Sequence, residues 1–387
     1  MSANLFGTRI RALREARNLT QDQLADRLGF KDRQTLSAIE TGDRRLSAEE
    51  LLRAAEVLSE PLETFTDPFL LIGEGKFSWR QKDVPPARLT DYEREAGRWI
   101  AAWRELSARQ GHQPPLDRRA LRLDKTSRFE DAIAAGERFA ADYDLGDVPS
   151  RRLAGVMQTE FSILVLMVDA IAGISGAACR LPELDAVLIN RLEVEGRRHF
   201  DLAHELFHIL TWDTMPPEHV ETAAETSRNR VEQLANKFAS AVLMPSTALS
   251  RFGAWSGLSK PDLIAKLNHT ADALAVTSSA LKWRLVDLEQ IGTTDAKEID
   301  DRLLRHNGQG APTSEAAPLF ETPDAESPVA PSKDLPPLFS AAFLTVIARG
   351  LTEGQLSVRR AAGLLGQAID DLPALFAAHE IPVEIGI

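Results

Sequence analysis

Cysteine is almost absent: Cys179 stands alone among 387 residues, so no intramolecular disulfide framework can form, and a reducing cytoplasm is the expected setting. No run of 18 apolar residues occurs, which excludes a membrane-crossing helix built from one continuous apolar stretch. The opening Met1-Ser2-Ala3-Asn4-Leu5-Phe6-Gly7 lacks the charged-then-apolar pattern of a secretory signal. Positive charge is in deficit: 45 Lys and Arg against 57 Asp and Glu leave a net charge of −12, which argues against a general nucleic-acid coat. That deficit is regional. Residues 292–387 hold 14 acids and 7 bases, so each segment is judged on its own charge. The length suffices for two or three domains and a sizeable core, in which Cys179 reads as a small buried side chain.

What the chain does have is a stretch with metal-site spacing. His204, Glu205 and His208 form H-E-x-x-H. Residues four apart share one helix face, so both imidazoles can reach one Zn²⁺, with Glu205 beside it to take a proton from water. Leu202, Leu206, Phe207, Ile209 and Leu210 give that helix an apolar side, and neither Pro nor Gly occurs from residue 197 to 214. Downstream, Val231 to Met244 is strongly helical and ends at Pro245. Within it Glu232, 24 residues beyond His208, can return across a helical hairpin as the third ligand, leaving a fourth position for water. Asp213, Glu218 and His219 are rival third ligands.

Leu202-Ala203-His204-Glu205-Leu206-x-His208, then Glu232-x-x-Ala235-Asn236-x-Phe238-Ala239 and Leu243-Met244-Pro245, resemble the ImmA/IrrE family of metallopeptidases. The resemblance covers roughly residues 128–291. It implies His204, His208 and Glu232 as metal ligands, Glu205 as general base, and Zn²⁺ as cofactor with Mn²⁺ as the alternative. Phe207 departs from the pattern, which commonly has Gly there. A metzincin would need Gly at 211 and His at 214, and this chain has Thr at both.

Residues 1–66 read as five short helices. Thr20 precedes an acidic first turn and Asp32 precedes Arg33-Gln34-Thr35-Leu36, both N-cap patterns; Gly29 and Gly42 are stop signals. Leu19-Thr20-Gln21-x-x-Leu24-Ala25, then Leu36-Ser37-x-Ile39-Glu40-x-Gly42 and Leu51-x-x-Ala54, resemble the Cro/repressor (XRE-type) helix-turn-helix domain. That resemblance implies double-stranded DNA as a partner. Arg33, Gln34 and Ser37 fall where base edges are read, and Gln21, Arg44 and Arg45 where phosphates are held. Residues 1–65 carry 10 bases and 11 acids, so affinity needs a local patch and a homodimer.

Residues 67–127 are expected as a basic, aromatic connector: Trp79 to Arg128 hold 12 bases against 7 acids. Trp79, Arg80, Lys82, Arg118, Arg119 and Arg122 suit contacts to single-stranded DNA. The same composition suits a helix with Trp99 and Trp103 turned inward, and that reading is preferred. Residues 128–291 are the expected peptidase domain, with strands at 163–168 and 186–190 joined by a Gly-rich turn, His199 and Arg198 as oxyanion candidates, and Lys282 and Arg284 on the surface. Residues 292–339 are an acidic linker with seven Pro between 306 and 337, and 340–387 a small helical unit. The fold class expected is mainly α with a small β-sheet (α+β). The function expected is a DNA-binding zinc endopeptidase in transcriptional regulation or a stress or DNA-damage response, cutting a repressor-type protein or itself, with single-stranded DNA as a trigger. The rival is a non-proteolytic regulator whose zinc domain is a sensor or protein-interaction module.

Overall fold

The first five helices are α1 (Leu5–Ala16), α2 (Gln21–Arg27), α3 (Arg33–Thr41), α4 (Ala48–Val57) and α5 (Leu62–Thr66), and capping residues set α2, α3 and α4. Thr20 Oγ1 accepts from the Gln23 N–H while the Gln23 side chain accepts from the Thr20 N–H. Asp32 accepts from the Thr35 N–H at 2.9 Å, and Gly42 ends α3 at φ 88°. These bonds satisfy backbone groups that a helix end leaves orphaned. Ile10, Leu24, Leu28, Leu36, Ile39 and Phe65 close a core of their own beneath them. The computed structural model describes residues 4–111, 116, 118–222, 229–305 and 335–383; most of the expected linker, Pro318-Leu319-Phe320 included, lies outside them.

Among the described residues the rest of the chain is α+β. Five strands, β1 (Lys76–Gln81), β2 (Leu164–Val168), β3 (Ile174–Arg180), β4 (Asp185–Asn190) and β5 (Val220–Thr222), form one sheet in the order β2-β4-β3-β1-β5. β2 runs parallel to β4 and β5 parallel to β1, while β3 is antiparallel to both its neighbours. One sequence expectation changes here. The Gly-rich turn is instead β3, the middle strand; its Gly176-Ala177-Ala178 centre carries too little apolar bulk to read as a strand. The stretch named as a connector contributes β1, with Phe77 and Trp79 in the core. The helix that follows begins at Pro86, where Pro is tolerated because the missing N–H of a first turn is not needed.

Helices cover both faces of this sheet. α6 (Pro86–Arg109) lies on one side; on the other are α7 (Phe129–Asp142), α8 (Pro149–Glu160), α9 (Glu195–Thr211) and α10 (Arg230–Leu243), buttressed by α11 (Ser246–Ser250), α12 (Lys260–Leu274), α13 (Ser278–Asp287) and α14 (Thr293–Lys297). α15 (Ala341–Thr352), α16 (Val358–Leu365) and α17 (Leu372–Ala377) join α6. Trp99 Nε1 donates to the Leu364 carbonyl at 2.9 Å, and the Phe339 N–H donates to the Met167 carbonyl on β2 at 2.6 Å. α7 can lie against α10 because residue 136 is glycine: a Cβ there would stand 2.6 Å from the Phe238 carbonyl oxygen.

One buried cation ties the first five helices to the sheet. Arg9 is fully buried, donates to the Thr64 and Leu70 carbonyls, and pairs with Glu74 at 3.3 Å; Glu74 also faces Arg104 of α6 at 3.8 Å. Lys282 and Arg284 correct the surface expectation. They are 2 % and 0 % exposed, Lys282 pairing with Asp301 and Arg284 with Glu137 and the Met244 carbonyl. A buried cation persists only with such partners. Among the described residues no helix is long and apolar enough to cross a membrane.

Candidate metal centre

α9 carries His204, Glu205 and His208 among its buried residues, and α10 packs against it and brings Glu232 to the same place. The ligand atoms of His204, His208 and Glu232 all lie within 4.8 Å of one another. His204 Nε2 is 3.0 Å from His208 Nε2 and 3.1 Å from Glu232 Oε2, and His208 Nε2 is 3.3 Å from Glu232 Oε1. His204, Glu205, His208 and Glu232 are each no more than 1 % exposed.

The donor set fits a divalent cation. His204 Nδ1 donates to Asn236 Oδ1 at 3.0 Å, which leaves the Nε2 lone pair directed at the cluster. Both oxygens of Glu232 are buried without a hydrogen-bond donor. Buried lone pairs converging on one point are costly unless a cation sits among them, and two imidazoles with one carboxylate are a zinc set that leaves an open position. Burial, and then the charge of Arg80, lower His204 to about 4, so its ring is neutral and able to ligate at neutral pH. Burial opposes ionisation of Glu232, but His208 and His204 outweigh it and hold its carboxyl well below the ordinary carboxylate range. Burial pushes Glu205 up to about 7, where a carboxyl can both take and give a proton.

Comparison with known families agrees with this geometry. Residues 10–65 match the helix-turn-helix family model, and residues 178–257 match the model of the IrrE N-terminal-like domain, a peptidase family. The chain joins a helix-turn-helix domain to an IrrE-like domain. No curated protein and no solved structure matches it.

In the IrrE-like domain the rival ligands fall away from the centre. Asp213 pairs with Arg180 and His219 with Glu93, both on the surface, and Glu218 is exposed. His199 and Arg198 are also corrected as oxyanion candidates. Both are engaged elsewhere, His199 Nδ1 donating to the Ala275 carbonyl at 2.7 Å and Arg198 to the carbonyls of Arg191 and Glu193. Phe207 is fully buried with its ring 5.6 Å from that of Phe238, so it packs α9 on α10. Asn236 escaped the sequence reading as a functional residue. Its signal was there, since Glu232 and Asn236 are four apart on one helix face.

In the helix-turn-helix domain α3 turns Leu36 and Ile39 inward and leaves Arg33 and Gln34 exposed, with Ser37 half-buried. Arg45 is exposed. Gln21 Nε2 donates to Glu40 at 2.8 Å, and Arg44 pairs with Glu50 at 2.7 Å, so both heads are oriented from within the domain. Of the residues expected to contact single-stranded DNA, Trp79, Arg80, Arg118 and Arg119 have partners within the fold. Trp79 is fully buried, stacked on Phe77 at 5.3 Å, and has no face for a base; that expectation is corrected. Arg80 pairs with Asp201, Arg118 with Asp185, and Arg119 donates to the Tyr143 hydroxyl, while Lys82 is half-buried and Arg122 exposed.

Proposed function

We propose that this chain is a DNA-binding, metal-dependent endopeptidase that regulates transcription by cutting a repressor-type protein or a copy of itself, with stress or DNA damage as the setting in which loss of a repressor is useful. The observation that carries the proposal is the convergence of His204, His208 and Glu232 within 4.8 Å beside Glu205. A divalent cation held by these three, Zn²⁺ by the donor set with Mn²⁺ as the alternative, would supply Lewis acidity to a peptide carbonyl and to water. Glu205 moves the proton. It takes one from the attacking water as that oxygen adds to the carbonyl carbon, and gives it to the amide nitrogen as the C–N bond breaks. Asn236 holds the His204 ring in the tautomer that ligates. We place β1 and α6 with this unit, because β1 pairs with β3 inside its sheet. α3 supplies the DNA contacts through Arg33, Gln34 and Ser37, with Gln21, Arg44 and Arg45 toward phosphates. A homodimer doubles that patch, which a domain of 10 bases and 11 acids needs.

Glu205→Gln separates the enzyme from its rival. Zinc-loaded wild-type protein, incubated alone and with a repressor-type helix-turn-helix protein, is expected to yield new N-termini on sequencing. Glu205→Gln yields none and still binds DNA. Cleavage that persists in Glu205→Gln removes Glu205 as the base. The second reading, a metal-responsive regulator without turnover, draws on the near-complete burial of the donor set; it predicts bound metal and no new N-termini even in the wild type.

A further inference from the structure

A cation stands beside the metal centre on the sheet side, outside both the H-E-x-x-H helix and the residues matched to the IrrE-like family. Alternation along β1 puts Phe77 and Trp79 into the core against α6 and turns Arg80 to the opposite face, toward α9. Its cross-strand partner is Gly176, where a Cβ would lie 3.6 Å from Glu205 Oε1. Arg80 and Glu205 therefore share one corner of the site. Arg80 Nη1 donates to Asp201 Oδ1 at 2.7 Å, and the Asp201 side chain is 1 % exposed. Asp201 precedes Glu205 by one turn of α9, so the guanidinium is anchored over the catalytic turn. Its charge also acts on both His204 and Glu205. The other nearby cation sits farther back: Arg197 Nε is 2.8 Å from Glu193 and 3.9 Å from Asp201.

When water adds to a scissile carbonyl, the C=O π pair moves onto its oxygen, and the negative charge on that oxygen is new in the transition state. Donors fixed before the reaction stabilise it most. A guanidinium carries five N–H donors in a rigid fork, and a charge-assisted bond to a buried carboxylate fixes its direction. We propose that Arg80, oriented by Asp201, stabilises the oxyanion that forms at the scissile carbonyl. The inference rests on the peptidase reading and fills the role that His199 and Arg198 do not.

The test uses full-length protein loaded with Co²⁺, whose visible absorption reports ligand binding without turnover. Inorganic phosphate serves as a tetrahedral anion and imidazole as a neutral probe. Arg80→Met is expected to weaken phosphate by about tenfold or more while leaving imidazole unchanged, and Arg80→Lys to restore most of the loss. Asp201→Asn, which keeps the cation but loosens its anchor, is expected to weaken phosphate less than Arg80→Met; it carries the test if Arg80→Met does not fold. Equal weakening of both probes would show Arg80 to be structural, and unchanged phosphate binding would show that it does not face the site; either overturns the inference alone. A wild type that takes up no Co²⁺ overturns the metal reading and this inference with it.

Discussion

The helix-turn-helix domain and the metal centre present their chemistry in opposite ways. Arg33, Gln34 and Arg45 stand exposed above a small core that they do not help to fill. His204, Glu205, His208 and Glu232 are almost fully buried and are part of the packing between α9 and α10. A reader of base edges can lose one side chain and keep its fold. A buried donor set cannot, because each lost partner leaves other lone pairs without compensation. Stability and function are therefore separable in the first region and joined in the second.

The largest effect expected from this contrast comes from metal removal. Stripping the cation with a chelator should lower the stability of the sheet-containing unit by about 4 kcal/mol where the metal was present at a thousandfold over its Kd. Calorimetry should show that loss while the helix-turn-helix transition stays in place. If both transitions move together, Arg9, Glu74 and Arg104 join the two units thermally, and the contrast fails. Asn236→Ala comes next. Removing the partner of His204 Nδ1 should weaken metal affinity about 10–100-fold in a chelator competition, with no change in DNA binding. Affinity left intact would mean that the ring needs no support from α10. The smallest effect belongs to the exposed domain: Asp32→Ala removes the cap of α3 and should cost about 1 kcal/mol. Denaturant unfolding of the first five helices would show it, and the metal content should not change.

How much of this could be read in the sequence follows the same division. Caps at Thr20, Asp32 and Ser47 act within three residues, so α2, α3 and α4 were legible. The His204–His208 spacing was equally local, and Glu232 was reachable because α10 is strongly amphipathic. What could not be read depends on distant partners. Arg80 meets Asp201 across 121 residues and looked like one more base in a basic stretch. Arg284 pairs with Glu137 from 147 residues away, so a cation that looked solvated proved to be fully buried. β3 was missed because Gly176, Ala177 and Ala178 are small, and the sheet favours that at 176, where a Cβ would stand 3.1 Å from the Leu188 carbonyl oxygen. β5 is three residues long, too short for any alternation to show.

The most direct measurement is the metal content of the purified chain, taken beside that of Glu232→Ala. One tightly held Zn²⁺ or Mn²⁺ is expected per wild-type chain and is lost from the variant, with the helix-turn-helix domain still folded. A wild type that holds no divalent cation, or a Glu232→Ala protein that keeps it at full strength, would contradict the metal reading.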